Sequence, residues 1–384
     1  MVSTYNEHEF NKLILQCDYE DETKYISPND MIVNNKKNYA YVTLVMLGDL
    51  YISAAIVLAE SLKKLKTQAD LVVLVTPDVT NKGKDILKMF FDHVIEISYI
   101  PIRNWRAKQQ RFKKYLDYVF TKFHVFNLTQ YKKILLIDAD AIVLKYPDHL
   151  FTLNAPAGCY LKDKDLFITY DERGNYILPT DSKIKWYNEM CDCCGHGKLI
   201  DKKLTDVVTT TSCNPGIGGG LMLLEPKEGE LDAIIKDITK GKSWELVSKI
   251  FPWPEQQYLT YRYSGKWTGM NPRFFGLQGY PHWKVLYGLQ YGGDKPFMLS
   301  SKLPLEARLQ YPDYILWHSI FREILDKNPK LKQEKSLEES IKMNSYYQQK
   351  QIIKLDMFPE TNYHQQYIRF KKNYIQLKHK LSSS

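Results

Sequence analysis

A short apolar strand that runs into two aspartates constrains this chain more than any other feature. Ile134, Leu135, Leu136 and Ile137 form a continuous apolar run, Asp138-Ala139-Asp140 follows at once, and residues 141–144 are apolar again. An unbroken run of this length suits a strand buried on both faces of a mainly parallel sheet. Two carboxylates at the end of a buried strand are costly unless something compensates them. A divalent cation with hard oxygen ligands, Mg²⁺ or Mn²⁺, is one answer. A turn whose aspartates accept backbone N–H bonds is another. The tripeptide alone does not choose.

The residues upstream supply the sheet. Residues 39–46 read as a strand, Gly48-Asp49 as a turn and 50–64 as a helix whose small residues Ala54 and Ala55 allow close packing. Residues 71–76 read as a second strand ended by Pro77, 79–90 as a helix and 93–97 as a third strand. This alternation predicts an α/β, Rossmann-like, mainly parallel sheet flanked by helices, with right-handed crossovers. Such sheets bind ligands beyond the C-terminal ends of their strands.

Further along, residues 105–128 read as a basic helix with one apolar face, and Lys122 near its end is a site residue or a solvated cation. Residues 159–213 are a polar, Tyr-rich insertion holding Cys191, Cys193, Cys194, His196 and Cys213. These are zinc ligands or, given their crowded spacing, ordinary reduced thiols. The glycines of CNPGIGGGLMLLEP precede a strand and allow either a close backbone approach or a bulge. Glu255 and Gln256 fall in the first turn of a helix spanning 251–263, where a carboxylate also serves the helix dipole. Gly292 and Gly293, followed by Lys295-Pro296, form a loop that presents a lysine to an anion. Residues 311–327 contain an aromatic helix with Trp317, His318 and Phe321. The charged, Gln-rich stretch from 332 packs on the core or meets a partner. The expected division is an N-terminal extension (1–37), a catalytic domain (38–299) and a helical C-terminal extension (300–384).

Composition narrows the function classes. A hydrophobic content of 44% is ample for a core, and a formal net charge of +9 suits anionic substrates such as nucleotide phosphates. The lysines are scattered and no recognition-helix or RNA-binding motif accompanies them, so no specific nucleic-acid partner is expected. Neither a signal-peptide core nor a transmembrane run is present, which predicts a soluble, cytoplasmic protein. Six cysteines in 384 residues do not read as a secreted disulfide framework.

In order, YVTLVMLGDLYISAAIVLAESLKK, LVVLVTPDVT, TKFHVFNLTQYKKILLIDADAIVL, CNPGIGGGLMLLEP, PEQQYL and GLQYGGDKPF resemble the motifs of the glycogenin-like, family 8 retaining glycosyltransferases, over residues 39–298. The resemblance implies a GT-A fold and metal-dependent transfer of a hexose from a UDP-sugar to a hydroxyl acceptor, with a homodimer as a common assembly. It places Mn²⁺ (or Mg²⁺) on the D-x-D pair Asp138 and Asp140, Leu44, Met46 and Tyr51 around the uracil, and Ala139 at the ribose. Lys122, Gly292 and Lys295 fall on the donor, Asn214 and Gly216 beside the sugar, and Glu255 and Gln256 at the anomeric carbon. Pro215, Glu255 and Phe297 stand where the family has Ser, Asp and Trp. The family's metal-binding histidine has no clear counterpart; its position falls on Leu289 or Gln290. Gln290 is the expected third ligand, with His282 and then His318 as alternatives. Two other readings stay open. One is a non-catalytic nucleotide-sugar-binding protein. The other is a self-glucosylating primer, with Tyr280 in the acceptor segment.

Overall fold

The computed structural model of the chain describes residues 26–108, 114–161, 196–211, 214–278, 283, 286–301 and 303–348. A two-strand hairpin, β1 (Ile32–Val33) and β2 (Lys36–Lys37), leads into β3 (Tyr39–Val45). Then come α1 (Ile52–Lys64), β4 (Asp70–Val75), α2 (Asn81–Lys88), β5 (His93–Glu96), β6 (Lys133–Ile137), β7 (Ala141–Val143) and β8 (Ala157–Leu161). The second half adds α3 (Lys202–Thr210), β9 (Gly216–Leu224), α4 (Glu230–Lys240), α5 (Pro254–Arg262), β10 (Thr268–Gly269), β11 (Gly276–Leu277) and β12 (Gly288–Gln290). Three helices follow: α6 (Leu305–Arg308), α7 (Pro312–Lys327) and α8 (Glu338–Tyr346).

Among the described residues, seven strands form the central sheet in the order β10-β8-β9-β6-β3-β4-β5. β5, β4, β3 and β6 are parallel, with Val42 opposite both Val72 and Leu136. β9 runs antiparallel to β6 and to β8, and β10 pairs parallel with β8. The sheet is therefore mainly parallel and flanked by helices, as expected. Val42, Val73 and Leu135 are fully buried because apolar clusters cover both faces of the sheet. Small residues of α1 let it lie close to β7, and Thr80 caps α2 by accepting from the Gly83 N–H at 3.0 Å.

Four expectations need correction. Residues 105–128 are not one amphipathic helix. Among the described residues of this stretch, 3₁₀ turns cover 105–108, 114–117 and 119–127, and Val119 to Phe126 are buried nearly all round rather than on one face. The polar insertion does not start at 159. β8 runs to Leu161 inside the sheet, and α3 packs against α5 and β9. The glycines expected to precede a strand lie within β9 itself. The stretch 27–37 is tied to the core, with Asp30 accepting from Tyr39 and Lys132 at 2.7 Å each. The aromatic helix expected within 311–327 is α7, and α8 packs against it, so residues 332–348 cover the core.

Candidate active site

The aspartate pair sits where β6 emerges from the sheet. The Asp138 N–H donates to the Gly220 carbonyl at 3.0 Å, extending the β6–β9 pairing by one residue. The chain then turns into β7, whose antiparallel partner is β12, with Gln290 opposite Ala141. The Tyr291 N–H donates to the Asp140 carbonyl at 2.8 Å. This small ladder brings a residue 150 positions away onto the two carboxylates. Gln290 Nε2 lies 2.9 Å from Asp138 Oδ2 and 3.3 Å from Asp140 Oδ1. Room for it comes from Gly220, where a Cβ would stand 2.5 Å from Gln290 Oε1 and 2.2 Å from the Phe275 ring.

Two ammonium groups flank the pair, Lys122 buried and Lys295 half-buried. Lys122 Nζ is 3.0 Å from Asp138 Oδ1 and 3.6 Å from Glu255 Oε1. Lys295 contacts Asp140 Oδ2 and the Tyr291 carbonyl. Burial disfavours charge on Lys122, but Asp138 and then Glu255 outweigh it and hold the ammonium above its ordinary range. Lys295 is held up in the same way, by Asp140 and Tyr51 against burial. Burial pushes the Tyr51 hydroxyl up to about 12, with Lys295 pulling the other way. The Tyr51 ring packs edge-on against Phe297 at 5.3 Å.

Formally, three carboxylates (Asp138, Asp140, Glu255) face two ammonium groups, an excess of one negative charge. A dication reverses that sign and makes the cleft attractive to a diphosphate. The donor set fits a hard cation. Two carboxylates converge on one amide, and turning that amide about its own axis would offer Oε1 in place of Nε2. Among the described residues no three His, Cys, Asp or Glu side chains form a metal-ligand group, so a carboxylate pair plus an amide is the set this site has to offer.

The sugar side is built by β9 and α5. Pro254 opens α5 at a position where its missing N–H is no loss. Gln256 spends both ends of its amide on backbone, with Oε1 accepting from Gly219 N–H at 3.1 Å and Nε2 donating to the Pro215 carbonyl at 2.8 Å. It therefore fixes β9 against α5. Asn214 Oδ1 accepts from the Gly216 N–H at 2.8 Å, and Gly216 takes φ +70° with a Cβ position only 2.6 Å from Thr260 Oγ1. Both are turn-forming residues at the start of β9.

The structure thus joins Asp138, Asp140, Gln290, Lys122, Lys295 and Glu255 in one contact network. Ala139 is buried between the aspartates, Leu44 and Met46 lie at the C-terminal end of β3, and Gly292 is exposed just past β12. Leu289 is in the core. His318 is not a ligand. It is buried on α7 with Nε2 on the Pro296 carbonyl at 2.9 Å. His282, Tyr280 and Cys191, Cys193, Cys194 and Cys213 lie outside the described residues. Sequence reasoning missed the specific tasks of Gly220 and Tyr291. A glycine cluster signals close approach but not which neighbour approaches, and the backbone carbonyl of Tyr291 carries no sequence signal.

The family model "Glycosyl transferase family 8" matches residues 31–186. An uncharacterized protein of Acanthamoeba polyphaga mimivirus is 35% identical over 245 residues, 62% of this chain and 73% of that protein. Human glycogenin-2 is 38% identical over 112 residues, 29% of this chain and 22% of its own length. The Arabidopsis thaliana protein named UDP-glucuronate:xylan alpha-glucuronosyltransferase 1 is 31% identical over 121 residues, 32% of this chain and 18% of its own length. This chain therefore matches about a fifth of the length of those last two relatives.

Proposed function

The chain belongs to glycosyl transferase family 8, and from that premise we propose that it moves a hexose from a UDP-sugar to a hydroxyl acceptor with retention at the anomeric carbon. The observation that carries this reading is the convergence of Asp138, Asp140 and Gln290 between the lysines Lys122 and Lys295. The plant relative named for UDP-glucuronate supports a UDP-sugar as donor.

Asp138, Asp140 and Gln290 would hold a Mn²⁺ or Mg²⁺ ion, which when bound supplies positive charge against that of the departing diphosphate. The chain's own part is preorganised charge. Lys295 and Lys122 are already ionised and held on carboxylates, so they need not reorganise as the leaving group gains charge. Leu44, Met46 and Tyr51 enclose the uracil, Ala139 meets the ribose and Gly292 gives the backbone access to the diphosphate. Glu255 faces the anomeric carbon and supports its oxocarbenium character, and the leaving phosphate takes the acceptor's proton. Gln256, with its amide committed to backbone, positions the β9 edge of this pocket.

The test is a donor screen with UDP-glucose, UDP-galactose, UDP-xylose, UDP-glucuronate and UDP-N-acetylglucosamine, scored by UDP release with Mn²⁺. We expect one donor to turn over, and Asp138→Asn to lower that turnover by about a thousandfold. Undiminished turnover in Asp138→Asn would remove this site from the chemistry. UDP-sugar binding with neither hydrolysis nor transfer would favour a binding protein instead.

A further inference from the structure

The loop that carries Lys295 has no regular secondary structure, yet its backbone is not left to solvent. Between residues 292 and 301 no strand ladder is available to accept or donate. Buried carbonyls in such a loop need partners from elsewhere. Here six successive carbonyls face side chains of the C-terminal segment. Tyr314 Oη donates to Asp294 O at 2.6 Å. Arg308 donates to Lys295 O at 2.9 Å, to Leu299 O at 3.2 Å and also to Met298 O. His318 Nε2 is 2.9 Å from Pro296 O, and Ser340 Oγ is 3.4 Å from Phe297 O.

These donors are themselves held. Arg308, Tyr314 and His318 are each buried to 1% exposure or less. Asn344 Nδ2 lies 3.2 Å from His318 Nδ1, which sets Nδ1 as acceptor and leaves Nε2–H for the Pro296 carbonyl. Tyr347 Oη donates to the Arg308 carbonyl at 2.8 Å, and its ring stacks on His318 at 4.0 Å. Phe297 lies between Tyr51 on the donor side and Trp317 on α7. Residues 303–348 are thus the outer wall of the Lys295 loop.

We propose that Arg308 and Tyr314 are positioning residues for the nucleotide diphosphate: by gripping the carbonyls of residues 294–299 they hold the Lys295 ammonium at the aspartate pair. The proposal rests on the reading of Lys295 as a diphosphate contact. Neither residue reaches the aspartates, so each acts through the loop. A guanidinium is the side chain for this task, because its fork offers several donors in fixed directions. Tyr314 adds one hydroxyl one residue upstream of Lys295.

The test is a double-mutant cycle on UDP affinity, measured calorimetrically with the full chain and Mn²⁺, together with thermal melting. Lys295→Met should weaken UDP about thirtyfold, and Tyr314→Phe or Arg308→Gln each about five- to tenfold. In the Lys295→Met background the same two substitutions should change UDP affinity less than about twofold, because what they positioned is gone. A residue that merely stabilises the fold gives the same loss in both backgrounds. Additive losses, or unchanged UDP affinity in Tyr314→Phe, overturn the positioning role while leaving Lys295 at the diphosphate. An unchanged affinity in Lys295→Met overturns the reading of Lys295, and the positioning role with it. Should Arg308→Gln not fold, Tyr314→Phe decides, since it deletes a single oxygen.

Discussion

The two halves of the central sheet are made in different ways. β4 and β6 are mainly Val, Leu and Ile, β3 between them adds Tyr, Ala and Thr, and all three are buried on both faces and run parallel. β8, β9 and β10, with the small β7–β12 ladder, are antiparallel in part, and β9 carries four glycines in its nine residues. The first half is filled by side chains. The second is kept open by their absence, so that Gln290 and Gln256 reach where a Cβ would otherwise stand. The parallel half supplies rigidity, and the glycine-rich half supplies the space in which a site can be assembled.

This contrast should show first in Gly220→Ala. The new methyl would overlap the Phe275 ring and Gln290, so Gln290 must leave the aspartate pair. We expect UDP-sugar turnover to fall by about a hundredfold or more, with only a modest loss of melting temperature. Leu71→Ala, at the far end of β4, should do the opposite. It opens a cavity in the parallel half and costs about 2–5 kcal/mol of stability, while turnover per folded molecule holds. Equal losses of turnover and stability in both variants would erase the distinction between the halves.

Acid should sharpen it more gently. Burial pushes His149 and His318 down to about 3, the first beside the β7–β12 ladder and the second behind the Lys295 loop. An unfolded histidine titrates near 6.5, so between about 3 and 6.5 the unfolded chain binds more protons than the folded one. Stability is then complete above pH 6.5 and declines as pH falls toward 3, by up to about 1.4 kcal/mol per unit for each imidazole. Denaturant titrations across pH 4–7 should give a shallower slope for His318→Gln than for the unaltered chain. Identical slopes would mean His318 is not held neutral.

The same contrast explains what was legible. Continuous apolar runs announce parallel strands, so residues 39–46, 71–76 and 134–137 were placed within a residue or two. The aromatic-rich stretch 311–327, expected to include a helix, is helical over nearly its whole length as α7. Asp138 and Asp140 were legible because carboxylates against a buried strand demand an explanation. β8 and β10 were not, since five residues of AGCYL and two of Thr-Gly carry no periodicity. Residues 119–127 misled because aromatics buried all round mimic one face of an amphipathic helix. Lys122 gave no sign that two carboxylates would close on it from β6 and α5. The grip of Arg308 on the Lys295 loop depends on backbone carbonyls, which every residue has.

Two carboxylates at the end of β6 and the amide of Gln290 should gather a divalent ion for a nucleotide diphosphate. Titrating Mn²⁺ into the chain with UDP present, followed by the loss of the free-ion paramagnetic resonance signal, tests it most directly. One tight ion per chain is expected in the unaltered protein and none in Asp138→Asn; an equal stoichiometry and affinity in both would rule out this metal site.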